Sequence, residues 1–228
     1  MENKVNAKIN KLIELIYGET FTDTHRKVLL EKIGNAASLI TEKRKSGWDE
    51  KDVVLITYAD QFSAAGEDAL PVFTRFYNKW LSHSFSHVHL LPFYPWSSDD
   101  GFSVIDYHEV APETGTWSDI AELKQSASLM FDYVCNHMSA KSQWFANYLQ
   151  QTPGYEDFYI SVDPKIDLSA VTRPRALPLP TLLTPHDRSV RHLWTTFSQS
   201  QIDLIFALSD VSISPVVVLS SYLLEGAT

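Results

Sequence analysis

The sequence predicts an α/β protein built on a parallel sheet, and three observations carry the prediction. Apolar runs of strand length begin at Val53, Val88 and Leu129, about 35 to 40 residues apart, the spacing of right-handed βαβ units. Helical periodicity fills the gaps between them. The third run, Leu129 to Val134, contains Asp132, continues to Asn136 and His137 and then opens into a polar loop. A parallel barrel strand delivers polar side chains to a catalytic rim in this way.

Taken in order, residues 5 to 45 read as two helices ahead of the sheet. Ile9, Leu12, Ile13 and Ile16 recur at helical spacing. Thr24 to Ile40 repeats the pattern and ends in the basic run Lys43-Arg44-Lys45, a solvated helix end at the negative pole of the dipole. The first strand, Val53 to Tyr58, leads into a loop containing Gly66-Glu67-Asp68. Leu70 to Leu81 is helical, with Pro71 in the first turn, where its missing N–H is tolerated. The second strand, Val88 to Phe93, is followed by a long polar–aromatic loop, a helix over Trp117 to Ala127 and the third strand.

From Met138 to about His192 the periodicity breaks. Pro153, Pro164, Pro174, Pro178, Pro180 and Pro185 punctuate a stretch with no helix of useful length. It reads as a loop-rich insertion after strand three, with its Pro-rich segments extended. A Pro-rich linker is the alternative, but Tyr155, Phe158, Tyr159, Leu177 and Trp194 give it apolar content to pack. A helix is expected after Leu204, where Pro215 costs about 3 kcal/mol unless the helix begins there. The expected division is N-terminal helices (1–50), a partial (β/α) barrel with strands one to three (51–137), the insertion (138–193) and a return to the barrel with the third helix, ending before a fourth strand (194–228).

Composition bounds the function. With 44% hydrophobic and 21% charged residues, the chain is globular and not disordered. Nineteen basic against 28 acidic residues give a formal charge of −9, which argues against nucleic acid or an anionic membrane as partner. The polar N-terminus has no apolar signal region. The apolar stretch Val211 to Leu224 carries Pro215 and four serines and is too short to span a bilayer. The compartment is read as the cytoplasm. Cys135, the only cysteine, excludes a disulfide framework and a thiolate metal site, and its apolar setting makes it a small core residue with an inert thiol.

The loop after the second strand holds Asp99-Asp100-Gly101-Phe102. Gly101 permits a tight turn behind two acids with aromatics on both sides. Carboxylates accept hydroxyl protons and aromatic faces take the C–H side of a sugar ring, although an Asp-Asp-Gly turn is also simply a turn. His137 alone is more often structural than functional. Two such loops at successive parallel-strand ends say more, because both face one rim. His83, His87 and His89 have no carboxylate or thiol at ligand spacing, so no metal site is assigned.

Longer blocks now point to a family. Tyr58-Ala59-Asp60-Gln61, the stretch from Leu90 to Tyr107 and Asn136-His137-Met138-Ser139 resemble the sucrose phosphorylase branch of glycoside hydrolase family 13, within the α-amylase superfamily. So do Arg173 to Leu179, Leu193 to Phe197 and Gln201-Ile202-Asp203-Leu204. The wording is closest to the glucosylglycerate phosphorylases of that branch. The resemblance implies the N-terminal part of a (β/α)8 barrel, about strands one to three, with a B-domain insertion after strand three. It implies reversible phosphorolysis of an α-glucoside, glucosylglycerate or sucrose, to α-glucose 1-phosphate. The route is retention through a covalent glucosyl-enzyme, with inorganic phosphate as co-substrate and neither cofactor nor metal. Carried over, Asp99 binds glucose hydroxyls, Phe102 flanks the same subsite and His137 hydrogen-bonds the glucose. Asn136, a calcium ligand in other amylases, is structural.

The same resemblance marks what is missing. The family nucleophile is an Asp in an Arg-x-Asp-Ala motif after strand four, and its acid/base is a Glu after strand five. No Arg-x-Asp-Ala occurs here, and the late acids are Asp203, Asp210 and Glu225. No catalytic residue is therefore assigned. Glu225-Gly226-Ala227 resembles the turn into strand four. The expectation is an N-terminal fragment that is inactive alone, with open sheet edges and an exposed apolar face. The alternatives are one half of a split enzyme completed by a second chain, or a non-catalytic carbohydrate-binding remnant.

Overall fold

The computed structural model describes residues 2–39, 47–172, 178–183, 190–206, 209–225 and 227, with the side chains of 2–4, 183 and 209–212 outside the description. The basic run Lys43-Arg44-Lys45, the Arg173-to-Leu177 part of the proline-rich block, and Pro185 lie outside the described residues.

The three predicted strands form one parallel sheet in the order β1-β2-β3: β1 Val54–Thr57, β2 His87–Leu90 and β3 Ser128–Phe131. The register places Val88 beside Leu55 and Leu129. One face is covered, with Val88, Leu90 and Leu129 at 0% exposure and Leu55 and Phe131 partly buried beside them. It is covered by α3 (Ala69–Phe76, continued by a π-turn over Tyr77–Leu81) and α4 (Trp117–Lys124) through Leu70, Phe73, Tyr77, Ile120 and Leu123. Pro71 sits in the first turn of α3, where helical N–H groups lack intrahelical partners in any case. The Asp119 carboxylate accepts from both the backbone N–H and the hydroxyl of Thr116, at 2.7 Å each, which closes the start of α4.

The opposite face is open. Ile56 on β1 is 61% exposed, although its β2 neighbour His89 reaches Asp132 Oδ2 at 3.2 Å. No carboxylate stands within ligand spacing of the histidines in the sequence; the pairing of β2 with β3 brings one, Asp132, from the residue just past the end of β3. Among the described residues, no group of three or more His, Cys, Asp and Glu side chains is placed to hold a metal ion.

The strands are shorter than the apolar runs. β3 stops at Phe131, and the chain re-forms a strand at β4 (His137–Ser139), antiparallel to β8 (Gln201–Asp203). The insertion between them is more ordered than expected. Contrary to the sequence reading, it holds the helix α5, Gln143–Leu149, whose first turn is capped by Ser142 Oγ accepting from Phe145 N at 3.1 Å. It also holds an antiparallel sheet in the order β5-β7-β6, from β5 (Ser161–Val162), β6 (Pro180–Leu183) and β7 (Arg191–Trp194). Phe158, Tyr159 and Leu193 join the main core, so the insertion is packed and is no linker. Ile160 N to Asp203 O at 3.1 Å and Ile205 N to Phe158 O at 3.0 Å fasten it to β8.

Of the N-terminal helices α1 (Glu2–Tyr17) and α2 (Asp23–Leu39), α2 packs against α6 (Ser209–Glu225). Ile13, Phe21 and Leu29 form a second small core with Ile33 and Val216. α6 runs through Pro215 instead of beginning there. Packing on both sides overrides the local penalty: Val218 and Tyr222 enter the main core, and Tyr222 stacks on Tyr94 at 5.2 Å. Beyond α6, Ala227 bridges Leu129 in parallel on the free edge of β3, where a fourth strand would lie. The sheet does not close into a barrel. No helix is long and apolar enough to cross a membrane among the described residues.

Candidate functional site

The loop from β2 to α4 is turned sharply. Asp99, Asp100 and Gly101 all have positive φ, at 62°, 49° and 98°. A Cβ on Gly101 would lie 2.6 Å from the Pro92 carbonyl oxygen, so only glycine permits the loop to fold back over the end of β2. Asp99 O accepts from Phe102 N at 3.0 Å, which closes the turn and sets both site residues relative to each other.

The structure brings Asp99, Phe102 and His137 together. His137, 4% exposed, lies with Nε2 at 2.9 Å from the Phe102 carbonyl oxygen. A carbonyl only accepts, so this nitrogen carries the proton in that contact. The ring packs against Phe197 at 5.2 Å between centroids. Between Asp99 and His137 stands a residue to which the sequence reading gave no role, Gln201. Its Nε2 donates to Asp99 Oδ2 at 2.9 Å and lies 3.1 Å from His137 Nε2. Gln201 is wholly buried and faces Ser139 across the β4–β8 pair. Its only sequence signal was membership of the block Gln201-Ile202-Asp203-Leu204.

Asp203 is paired with His137 in the register. Thr196 donates to both its oxygens, from N to Oδ2 and from Oγ1 to Oδ1, at 2.8 Å each. Burial pushes the Asp203 carboxyl up, while the Thr196 hydrogen bonds and the nearby His137 pull it back. These bonds hold the segment before β8 to the strand. Asn136 is exposed, and its carbonyl accepts from Leu204 N at 2.9 Å, a structural contact. Cys135 is half-buried beside it, with Sγ 3.8 Å from Asn136 Oδ1.

A cleft opens at the C-terminal ends of β1 and β2, lined by Tyr58, Asp60, Trp96, Asp100 and Glu113 among others. Asp99, Phe102 and His137 do not line it, so the three predicted residues lie beside the open cleft and not within it.

The comparisons with known proteins fit this architecture. The family model described as "Alpha amylase, catalytic domain" matches residues 82–211, which takes in β2, the Asp99 turn, β4 and β8. The chain belongs to the α-amylase family. Within that family it is 61% identical over 223 residues to the glucosylglycerate phosphorylase of Escherichia coli K12, covering 98% of this chain and 40% of that protein. It is 36% identical over 163 residues to the sucrose phosphorylase of Streptococcus mutans, covering 66% of this chain and 33% of the relative. The crystal structure of the sucrose 6F-phosphate phosphorylase from Thermoanaerobacter thermosaccharolyticum superposes with a TM-score of 0.62 at 30% identity, over 70% of this chain and 34% of that one. The chain spans about a third to two-fifths of the length of the glucosylglycerate phosphorylases it matches, covering 40%, 33% and 38% of three of them. It is homologous to glucosylglycerate and sucrose phosphorylases as their N-terminal portion.

Proposed function

We propose that this chain is the glucosyl-binding portion of an α-glucoside phosphorylase that converts glucosylglycerate and phosphate to α-glucose 1-phosphate. The observation that carries the reading is the constellation Asp99–Gln201–His137. It is joined by the hydrogen bonds from Gln201 to Asp99 and from His137 to the Phe102 carbonyl in a chain that matches a glucosylglycerate phosphorylase over 98% of its length. The Asp99 carboxylate accepts from sugar hydroxyls, the Phe102 ring flanks the sugar, and the His137 Nε2–H, given to the Phe102 carbonyl in the sugar-free chain, turns to a glucose oxygen on binding, a hydrogen bond that strengthens as charge develops on the glucosyl unit.

Retention needs two carboxyl groups about 5–5.5 Å apart across the bond being broken. Asp203, tied by Thr196 to the segment before β8, is not assigned as one of them. The two reacting carboxylates are assigned to the strands that follow α6 in the longer relatives. The parallel bridge from Ala227 to Leu129 and the exposed inner face at Ile56 support their docking here, whether from the same polypeptide or a complementing one.

The test is a chimera joining this chain to the remaining portion of the Escherichia coli glucosylglycerate phosphorylase. It should release α-glucose 1-phosphate from glucosylglycerate and phosphate, and Asp99→Asn should cut kcat/KM by about a hundredfold or more, the weight of a strong transition-state hydrogen bond. A folded chimera that cleaves sucrose but not glucosylglycerate moves the substrate assignment. One that is indifferent to Asp99→Asn sinks the site.

A further inference from the structure

We infer that Ser98, Ser200, Ser198 and Gln201 form a one-way chain of hydrogen bonds that sets the face of the Gln201 amide and so aims the Asp99 carboxylate. Ser198 and Ser200 are then positioning residues of the sugar site, remote from the sugar itself.

The direction follows from counting protons. A serine hydroxyl donates once and accepts up to twice, a carboxylate only accepts, and an amide has one donating and one accepting end. The Gln201 atom 2.9 Å from Asp99 Oδ2 is therefore the NH2 group. Oε1 consequently faces Ser198 Oγ, at 2.7 Å, and this spends the single proton of Ser198. At the Ser198–Ser200 contact of 2.9 Å only Ser200 is left to donate. That spends its proton in turn, so at the Ser98–Ser200 contact of 2.7 Å Ser98 is the donor. Ser98 precedes Asp99 in the sequence, and the circuit closes through the backbone.

Every bond in such a chain polarises the next in the same sense. Turning the amide over would offer the His137 Nε2–H an acceptor but would set Oε1 against a carboxylate oxygen at 2.9 Å; the full charge of the carboxylate outweighs the imidazole contact and decides the face. The circuit is also anchored from outside: the Ser200 carbonyl accepts from Ser103 Oγ at 3.1 Å and from Ala140 N at 2.9 Å. It spans the β2–α4 loop and the turn before β8, the two segments that must agree for Asp99 and His137 to face one sugar. The left-handed backbone at Asp99 and Asp100 costs of order 1–3 kcal/mol per residue unless its surroundings hold it, and the circuit is one such restraint. The consequence for sugar binding rests on the proposed role of Asp99, whereas the circuit itself does not.

The test uses the 228-residue chain without sugar, with the Gln201 side-chain NH2 signals followed by nitrogen–proton NMR and the Asp99 carboxyl by carbon NMR. Ser198→Ala should speed solvent exchange of the Gln201 NH2 protons about tenfold, the equilibrium weight of one net hydrogen bond, and shift the Asp99 carboxyl signal. Ser198→Thr should restore both. Ser98→Ala should act in the same direction, and the double variant should be no worse than Ser198→Ala, because a one-way chain is broken once. Should Ser198→Ala not fold, Ser98→Ala in the rim loop gives the same reading. Unchanged Gln201 signals, or strictly additive effects of the two variants, overturn the inference. Adding glucose to the same samples tests the role of Asp99 separately, so either idea can fail alone.

Discussion

The side-chain amide of Gln201 donates to the carboxylate of Asp99 at 2.9 Å across 102 positions of sequence. This one contact joins the strand that ends the insertion to the loop that follows β2. It makes the insertion part of the site's framework and not an appendage to it. Replacing Gln201 with Leu should cost about 1–3 kcal/mol, because the partners of a buried amide are left unsatisfied. Urea unfolding of the chain reads this directly; a loss of a few tenths would mean that water substitutes freely for the amide.

Gly101 is the backbone counterpart of that contact. With φ at +98° and the Pro92 oxygen 2.6 Å from where a Cβ would sit, Gly101→Ala must displace the turn carrying Asp99 and Phe102. The expected result is a destabilisation of roughly 1–3 kcal/mol with chemical-shift changes concentrated between Ser97 and Ser103. Wild-type stability and spectra in the variant would refute the strained-turn description.

The two faces of the sheet should respond oppositely to substitution. Leu90 is fully buried under the helices, so Leu90→Ala should cost about 2–5 kcal/mol. Ile56 is 61% exposed on the other face, and Ile56→Ser should stay within about 0.5 kcal/mol while lowering self-association, since it removes an apolar side chain beside an open edge. Analytical ultracentrifugation with thermal melts distinguishes the two. A large loss at Ile56 would show that this face is covered in solution.

Asp203 gives a pH signature. Its carboxyl is raised in the folded chain, with burial as the main cause, so the folded state holds this proton more tightly than the unfolded state. Stability contributed by the protonated form is present at low pH and lost as pH rises from the ordinary aspartate range through the raised value. The stability of wild type relative to Asp203→Asn should therefore fall across that acidic window and level off towards neutrality. Urea midpoints measured over the range check it, and a rise in the same window would contradict the burial argument.

Much of the fold was legible because it depends on local pattern. The runs at Val53, Val88 and Leu129 carry the apolar residues that a sheet covered by helices requires, and the spacing between them leaves room for one helix each. Pro71 was placed in a first turn on its backbone chemistry alone. Two features were not legible. The helix over Gln143–Leu149 is only seven residues long, too short for periodicity to register, and it stands because Phe145 and Tyr148 are buried in the main core. α6 passes through Pro215 because contacts with α2 and with Tyr94 outweigh one lost backbone bond.

The same division holds at the site. The sequence by itself determined that Asp99 and Phe102 share a glycine turn, that His137 follows the third strand, and that an acid pair for retaining chemistry is not among its motifs. Only the tertiary structure decided that Gln201 stands between Asp99 and His137, that a run of serines orients its amide, and that the open cleft is lined by Asp100 and Glu113 instead. Neighbours along the chain constrain one another through backbone geometry, which a sequence displays. Hydrogen bonds between segments a hundred residues apart exist only once packing has chosen which segments meet, and no local pattern encodes that choice.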